Sequence, residues 1–367
     1  MRVAQASSAT HDQDSEEARR RLKRELDRIR GHSHENDHGA PVPAQAKKKG
    51  ATSRAEEGGK AVHATRSIDS EIDRILGRLL LVRFKGTQPS ETGPKAVHTM
   101  LQNDMIAGVL LTAENIQGKA QLRELTKFFA SAGARERPII GVQEVGGNAE
   151  GLPNVRDFEP WPTEREVAAK GDPDYAYSTY RSMGANLAFL GFNMNFGPML
   201  GAPDSADAAD SFGANPLQAG VFAKTFILGH RDANVIPVPV VDGSDLSVRA
   251  LKTLILSHPE TSIATDESHR KDGQPFSVYD GLVRAARFCF TTVSRPDGQG
   301  GEGPKAFLDR CDVLVLDGGT ENPAGLRDAV AQQVSKAVSS GALTVGALKE
   351  SEKRMLVLRS TFSTPSQ

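Results

Sequence analysis

Three observations predict an α/β fold, a (β/α)8 TIM-type barrel behind a disordered N-terminal tail. Residues 67–367 hold eight short runs rich in Val, Ile and Leu, and helical stretches separate and follow them. Strict alternation of this kind favours a closed parallel barrel over an open doubly wound sheet. The runs are apolar throughout instead of alternating, which implies burial on both faces. Residues 1–66 contain no aromatic residue and few large apolar ones, too few to offset the entropy of ordering. Two domains follow, a tail over 1–66 and a barrel over 67–367.

The elements run in order. SIDSEIDRILG reads as a short helix ended by Gly77. RLLLVRF (78–84) is the first strand, PKAVHTMLQND a helix, and IAGVLL (106–111) the second strand. The amphipathic GKAQLRELTKFFASAG leads to PIIGVQE (138–144), and DPDYAYSTYRSMGANLAFLG leads to FNMNFGP (192–198). NPLQAGVFAKTFILGHRDA precedes VIPVPVV (235–241), and DLSVRALKTLILSH precedes TSIAT (261–265). SVYDGLVRAA separates that strand from RFCFTTV (287–293). GPKAFLDR precedes CDVLVLDGG (311–319), and two helices close the chain.

A composition of 38% hydrophobic and 25% charged residues fits a soluble globular body. The net charge of −1 gives no general attraction to nucleic acid. No apolar run reaches the roughly 18 residues of a membrane span, and the N-terminus lacks the apolar core of a secretory signal, so a cytoplasmic setting is expected. Cys289 and Cys311 are too few for a disulfide scaffold or a Cys-based zinc site. They read as buried thiols in or beside adjacent strands. The tail carries His11, His32, His34, His38 and His63, but with no Cys nearby they suggest adventitious metal binding only. No metal and no cofactor is expected. Within SEEARRRLKRELDRIR, Leu22, Leu26 and Ile29 form one narrow apolar stripe on a basic helix, a docking element for a partner or a charge-laced nascent helix.

Barrel chemistry sits at the C-terminal ends of the strands. Those ends carry Glu144, Asp204, Asp242, Asp266, Glu267, Asp297 and Asp317. Two carboxylates facing across a mouth can serve as nucleophile and general acid in glycoside hydrolysis. Polar residues also belong in such loops for solvation and helix capping. GQGGEG (298–303) lacks the strand–helix context of a phosphate loop.

Several segments, in this order, resemble the N-terminal barrel of family 3 glycoside hydrolases, above all the single-domain bacterial β-N-acetylglucosaminidases. They are IAGVLLTAENIQGKAQLRELTKFF, PIIGVQEVGGNAEGL, MGANLAFLGFNMNFGPMLGA, CDVLVLDGG and LKESEKRMLVLR. The resemblance covers roughly residues 68–360 and implies a sugar-binding mouth. It also locates departures from the family pattern. The family's Asp of Val-Asp-Gln-Glu-Gly-Gly-Arg falls on Gln143 and its Arg on Asn148. The Asp ending Ala-Pro-Val-Leu-Asp falls on Gly201, and the Arg of Arg-Ser-Phe/Tyr falls on Asp210. The Lys-His-Phe-Pro-Gly-His block is absent, with Val240 and Val241 near its Lys-His position. The mobile Asp-Ser-His acid loop is missing. At the nucleophile block stand Ser294, Arg295, Pro296 and Asp297.

These losses remove most of what retaining hydrolysis needs. The expected function is therefore a catalytically inactive family 3-like barrel that binds or scaffolds, with a carbohydrate ligand and the tail as its protein-facing element. Two alternatives stay open, so enzymatic activity is undecided. One is a divergent β-N-acetylhexosaminidase-like hydrolase with Asp297 as nucleophile and Asp242, Glu144 or His269 as acid or base. The other is an unrelated barrel enzyme of phosphate or amino-acid metabolism. The candidate site is thus Asp297, Asp242 and His269 for catalysis, with Glu144, Asp266 and Asp210 for substrate. Trp161, between two prolines, reads as a residue packed on a loop or as a sugar-stacking platform. His230 and His258 close helices, where a cation suits the helix dipole.

Overall fold

The computed structural model describes residues 69–133, 136–147, 151–152, 157–158, 160–201, 211–242, 244–257, 261–265, 288–293, 311–317 and 322–360. All of them lie in the compact unit Ala64–Gln367. The expected disordered tail, its basic helix and its histidines lie outside the described residues.

The first helix, α1, spans 69–79 and passes through Gly77 instead of ending there. A side chain at Gly77 would place a Cβ 1.8 Å from the Asp104 carbonyl oxygen. Gly77 is therefore a close-packing position, which local stop signals cannot distinguish from a terminator.

The remaining elements alternate. β1 (Leu80–Val82) leads to α2 (Thr92–Gln102), β2 (Gly108–Leu110) to α3 (Lys119–Ser131), and β3 (Ile139–Val142) to α4 (Glu164–Ala169) and α5 (Pro173–Leu190). β4 begins at Met194–Asn195 and leads to α6 (Pro216–Asp232). β5 is one run in two pieces, Ile236–Pro237 and Val240–Val241, followed by α7 (Asp245–Ser257). β6 (Ser262–Thr265), β7 (Phe288–Val293) and β8 (Val313–Leu316) complete the sheet before α8 (Pro323–Ser339) and α9 (Val345–Ser360). Three helices start on the same device. Asp172, Asn215 and Asn322 each accept backbone N–H groups of the first turn, with a proline directly after them.

Every strand pairs parallel to its neighbours, in chain order, and β8 returns to β1. The two ends of the ladder are the two pieces of β5, so the sheet closes through that one run. The proline pattern explains the split. Ile236, Val238 and Val240 donate their N–H groups to Asn193, Asn195 and Pro198 on the β4 side. The intervening positions, which face β6, are Pro237 and Pro239 and have no N–H to give. Pairing to β6 therefore starts late, where the Pro239 carbonyl accepts Ala264 N–H and Val240 aligns with Ala264.

The core is continuous. Phe196, just past β4, meets Phe290 of β7 edge to face at 5.4 Å. Those strands are not neighbours, so the contact crosses the barrel interior. At the opposite end from the mouth, Arg74 and Arg78 of α1 both bind the Glu352 carboxylate of α9. Burial opposes its ionisation, but the guanidinium hydrogen bonds hold the carboxyl below its ordinary range. Asp312 accepts from Cys289 N, Ser351 Oγ and Arg354 Nε at 2.8–3.0 Å, tying β7 and β8 to α9.

The expectation of two free thiols is corrected. Cys289 and Cys311 form a disulfide, with their Cα atoms 4.6 Å apart. They are 22 residues apart in sequence, and only barrel pairing of β7 with β8 brings them together. Among the described residues no helix is long and apolar enough to cross a membrane.

Candidate functional site

The described part of the barrel mouth is built by the ends of β1, β3, β4, β5 and β8. β3 delivers Gln143 and then Glu144, which is only 4% exposed. The Glu144 carboxylate accepts Gly146 N–H through Oε1 and Leu152 N–H through Oε2, both at 2.8 Å. It shapes the loop after β3 from the inside.

The Glu144 backbone is held as firmly. Asn195 Oδ1 accepts Glu144 N–H and Asn195 Nδ2 donates to the Glu144 carbonyl, both at 2.8 Å. Asn195 Nδ2 also lies 2.9 Å from His230 Nε2, and His230 Nδ1 lies 3.0 Å from the Phe226 carbonyl oxygen. A carbonyl can only accept, so Nδ1 carries the proton and Nε2 accepts from Asn195. Burial lowers the His230 pKa from 6.5 to about 4, against the opposing pull of the Phe226 carbonyl. His230 is therefore a neutral link between α6 and the β3–β4 mouth. The expectation of a dipole-stabilised cation at a helix end is corrected, because full burial removes the charge.

The extension of β4 crosses the mouth next. Met199 N–H donates to Glu164 Oε1 at 2.9 Å, and Gln143 Nε2 approaches Met199 Sδ at 3.8 Å. Glu164 is fully buried at the start of α4, between Thr163 and Glu166, which form the capping box. Sequence reasoning missed it because a Glu in a first helical turn usually serves the helix dipole at the surface.

Two residues on, Gly201 meets the half-buried Asp242 at the end of β5. A Cβ at position 201 would lie 2.0 Å from Asp242 Oδ2 and 2.4 Å from its Cγ. The Asp242 carboxylate thus fills the space into which a side chain at 201 would project. Its Oδ1 accepts Ser244 N–H at 2.9 Å and leads the chain into α7. On the far side of the mouth, Arg83 after β1 pairs with Asp317 after β8 at 2.8 Å.

Of the predicted site residues, the described structure therefore places Glu144 and Asp242 at the mouth, each bonded to backbone N–H groups. Asp210, Asp266, His269 and Asp297 lie outside the described residues. Among the described residues, no group of three His, Cys, Asp or Glu side chains is arranged to hold a metal ion.

Known proteins share this architecture. The profile of the glycosyl hydrolase family 3 N terminal domain matches residues 71–240. Residues 71–240 are thus similar to that family's N-terminal domain. A beta-hexosaminidase of Shewanella frigidimarina is 27% identical over 144 residues, 38% of this chain and 42% of the relative. The chain therefore matches less than half the length of that relative. Among solved structures, a family 3 beta-N-acetylglucosaminidase from a Paenibacillus species superposes with TM-score 0.64 at 18% identity. The match covers 80% of this chain and 63% of that one. A beta-N-acetylhexosaminidase from Beutenbergia cavernae gives TM-score 0.63 at 17% identity, covering 79% of this chain and 98% of that one. At such identity the superpositions establish the fold. The family 3 profile match ends at residue 240, two positions before Asp242.

Proposed function

We infer that the family 3 mouth of this protein binds carbohydrate without hydrolysing it at an enzymatic rate. The observation that carries the reading is the use to which the two described mouth carboxylates are put. Glu144 accepts two backbone N–H groups, and Asp242 accepts one while lying against Gly201. Both accept backbone N–H groups and hold loops, whereas a retaining enzyme needs a nucleophile and an acid about 5 Å apart. The charged groups that the family resemblance leads one to expect are Gln143 and Gly201 here. Loss of such groups removes the differential binding of a charged transition state more than the binding of a neutral sugar.

In this reading the protein is a binding or scaffolding barrel, with the basic stripe of the tail as its protein-facing element. A second reading, a divergent hydrolase, draws on the partial exposure of Asp242 at the mouth. There Asp242 would act as acid beside Asp297. The two readings separate in one assay: purified protein with an aryl N-acetylglucosaminide and with N-acetylglucosamine oligomers. Binding in the millimolar range without turnover supports the first. Turnover abolished by Asp242→Asn supports the second.

A further inference from the structure

We propose that the segment around Trp161 forms a second saccharide site, one that takes a neutral, acetamido-bearing pyranose. The proposal rests on the carbohydrate reading for its ligand class and on separate residues for its geometry. A cavity of about 480 Å³ opens between the first turn of α3, the later part of α5 and the loop that follows β3. Its size lies within the roughly 300–1,000 Å³ of small-molecule sites. Its lining includes neither Glu144 nor Asp242.

The floor is apolar. Leu152 and Phe158 are 8% and 7% exposed. Leu152 is fixed through its own N–H on Glu144. Trp161 is half-buried between Pro160 and Pro162, whose rings restrict the backbone on both sides. The Trp161 carbonyl accepts Gly147 N–H at 2.8 Å, so its ring stands on a fixed stem.

Polar groups border this floor. The Lys119 amine stands 5.7 Å from the centre of the Phe158 ring. Asn186 of α5 also lines the cavity. Among the described residues, neither of these side chains nor the Trp161 indole N–H has a hydrogen-bond partner. An aromatic face, two flanking donors and an amide that both donates and accepts are the complement of a pyranose. Its C–H face stacks on indole, its hydroxyls take the donors, and its acetamido group pairs with Asn186. The Asp157 carboxylate lies beside Gly118 at the start of α3, 2.8 Å from where a Cβ would stand. That negative charge next to Lys119 favours a neutral ligand over an anionic one.

Trp161 is the only tryptophan in the chain, so its emission reports on this cavity alone. The full-length protein is titrated with N,N′-diacetylchitobiose, with cellobiose and benzoate as comparison ligands. The proposal requires a saturable emission change with diacetylchitobiose. It also requires about fivefold weaker binding in both Asn186→Ala and Lys119→Ala, the worth of a hydrogen bond, and no weakening in Asp242→Asn. Circular dichroism confirms that each variant is folded. The absence of an emission change, or binding by both cavity variants as tight as that of the unaltered protein, overturns the proposal. A stronger response to benzoate overturns the ligand class. Calorimetry separates this proposal from the reading of the mouth. One site lost in Asn186→Ala keeps the cavity and removes the mouth, whereas one site lost in Asp242→Asn does the reverse.

Discussion

Gly201 and Asp242 occupy one space: a Cβ on the first would stand 2.0 Å from Oδ2 of the second. The pair joins the extension of β4 to the end of β5, the strand through which the barrel closes. The Asp242 carboxylate fills the space that a side chain at 201 would take.

This relationship predicts strong coupling. Gly201→Ala alone should cost about 1–3 kcal/mol, as overpacking does, because Asp242 must leave its bond to Ser244 N–H. In an Asp242→Gly background the same Gly201→Ala change should be nearly neutral. Urea unfolding of the four proteins gives the coupling energy directly. Additive effects would show that the two residues do not share that space.

Glu144→Gln tests whether this buried acid is a loop builder. The amide keeps one accepting oxygen and turns an NH2 towards a backbone N–H. One buried donor is then unsatisfied, at a cost of about 1–3 kcal/mol. Amide exchange at Gly146 and Leu152 should speed up together while exchange in α8 and α9 stays unchanged. Unchanged protection at both amides would contradict the assignment.

His230 predicts an acid-sensitive contribution to stability. Its pKa is about 4 when folded and 6.5 when free, so the unfolded chain binds the proton more readily. Stability from this residue is complete above pH 6.5, declines as pH falls towards 4, and is flat below. The gap corresponds to about 3 kcal/mol. Chemical unfolding from pH 7 to 4 should show a steeper loss in the native protein than in His230→Gln. Parallel curves would indicate that His230 is not held neutral by burial.

Much of this architecture is legible in the sequence because it rests on local patterns. All eight apolar runs become strands, and the Asp-Pro and Asn-Pro pairs at 172, 215 and 322 start helices as capping chemistry dictates. The site is less legible because its partners are distant. Glu144 and Asn195 are 51 residues apart, and no spacing rule links them. Gly77 mimics a helix stop until the Asp104 carbonyl is seen beside it. Cys289 and Cys311 look like isolated thiols until β7 and β8 are aligned. The aromatic Trp161 gave the one local hint of the cavity, but Lys119 and Asn186 reach it only through the packing of α3 and α5.

The central proposal is that this barrel mouth binds sugar without cleaving it, and steady-state turnover of an aryl N-acetylglucosaminide tests it most directly. The account predicts no turnover above the protein-free rate, with binding of N-acetylglucosamine oligomers still measurable by calorimetry. Turnover approaching about 1 s⁻¹, the low end of ordinary enzymes, that is lost in Asp297→Asn or Asp242→Asn would contradict it.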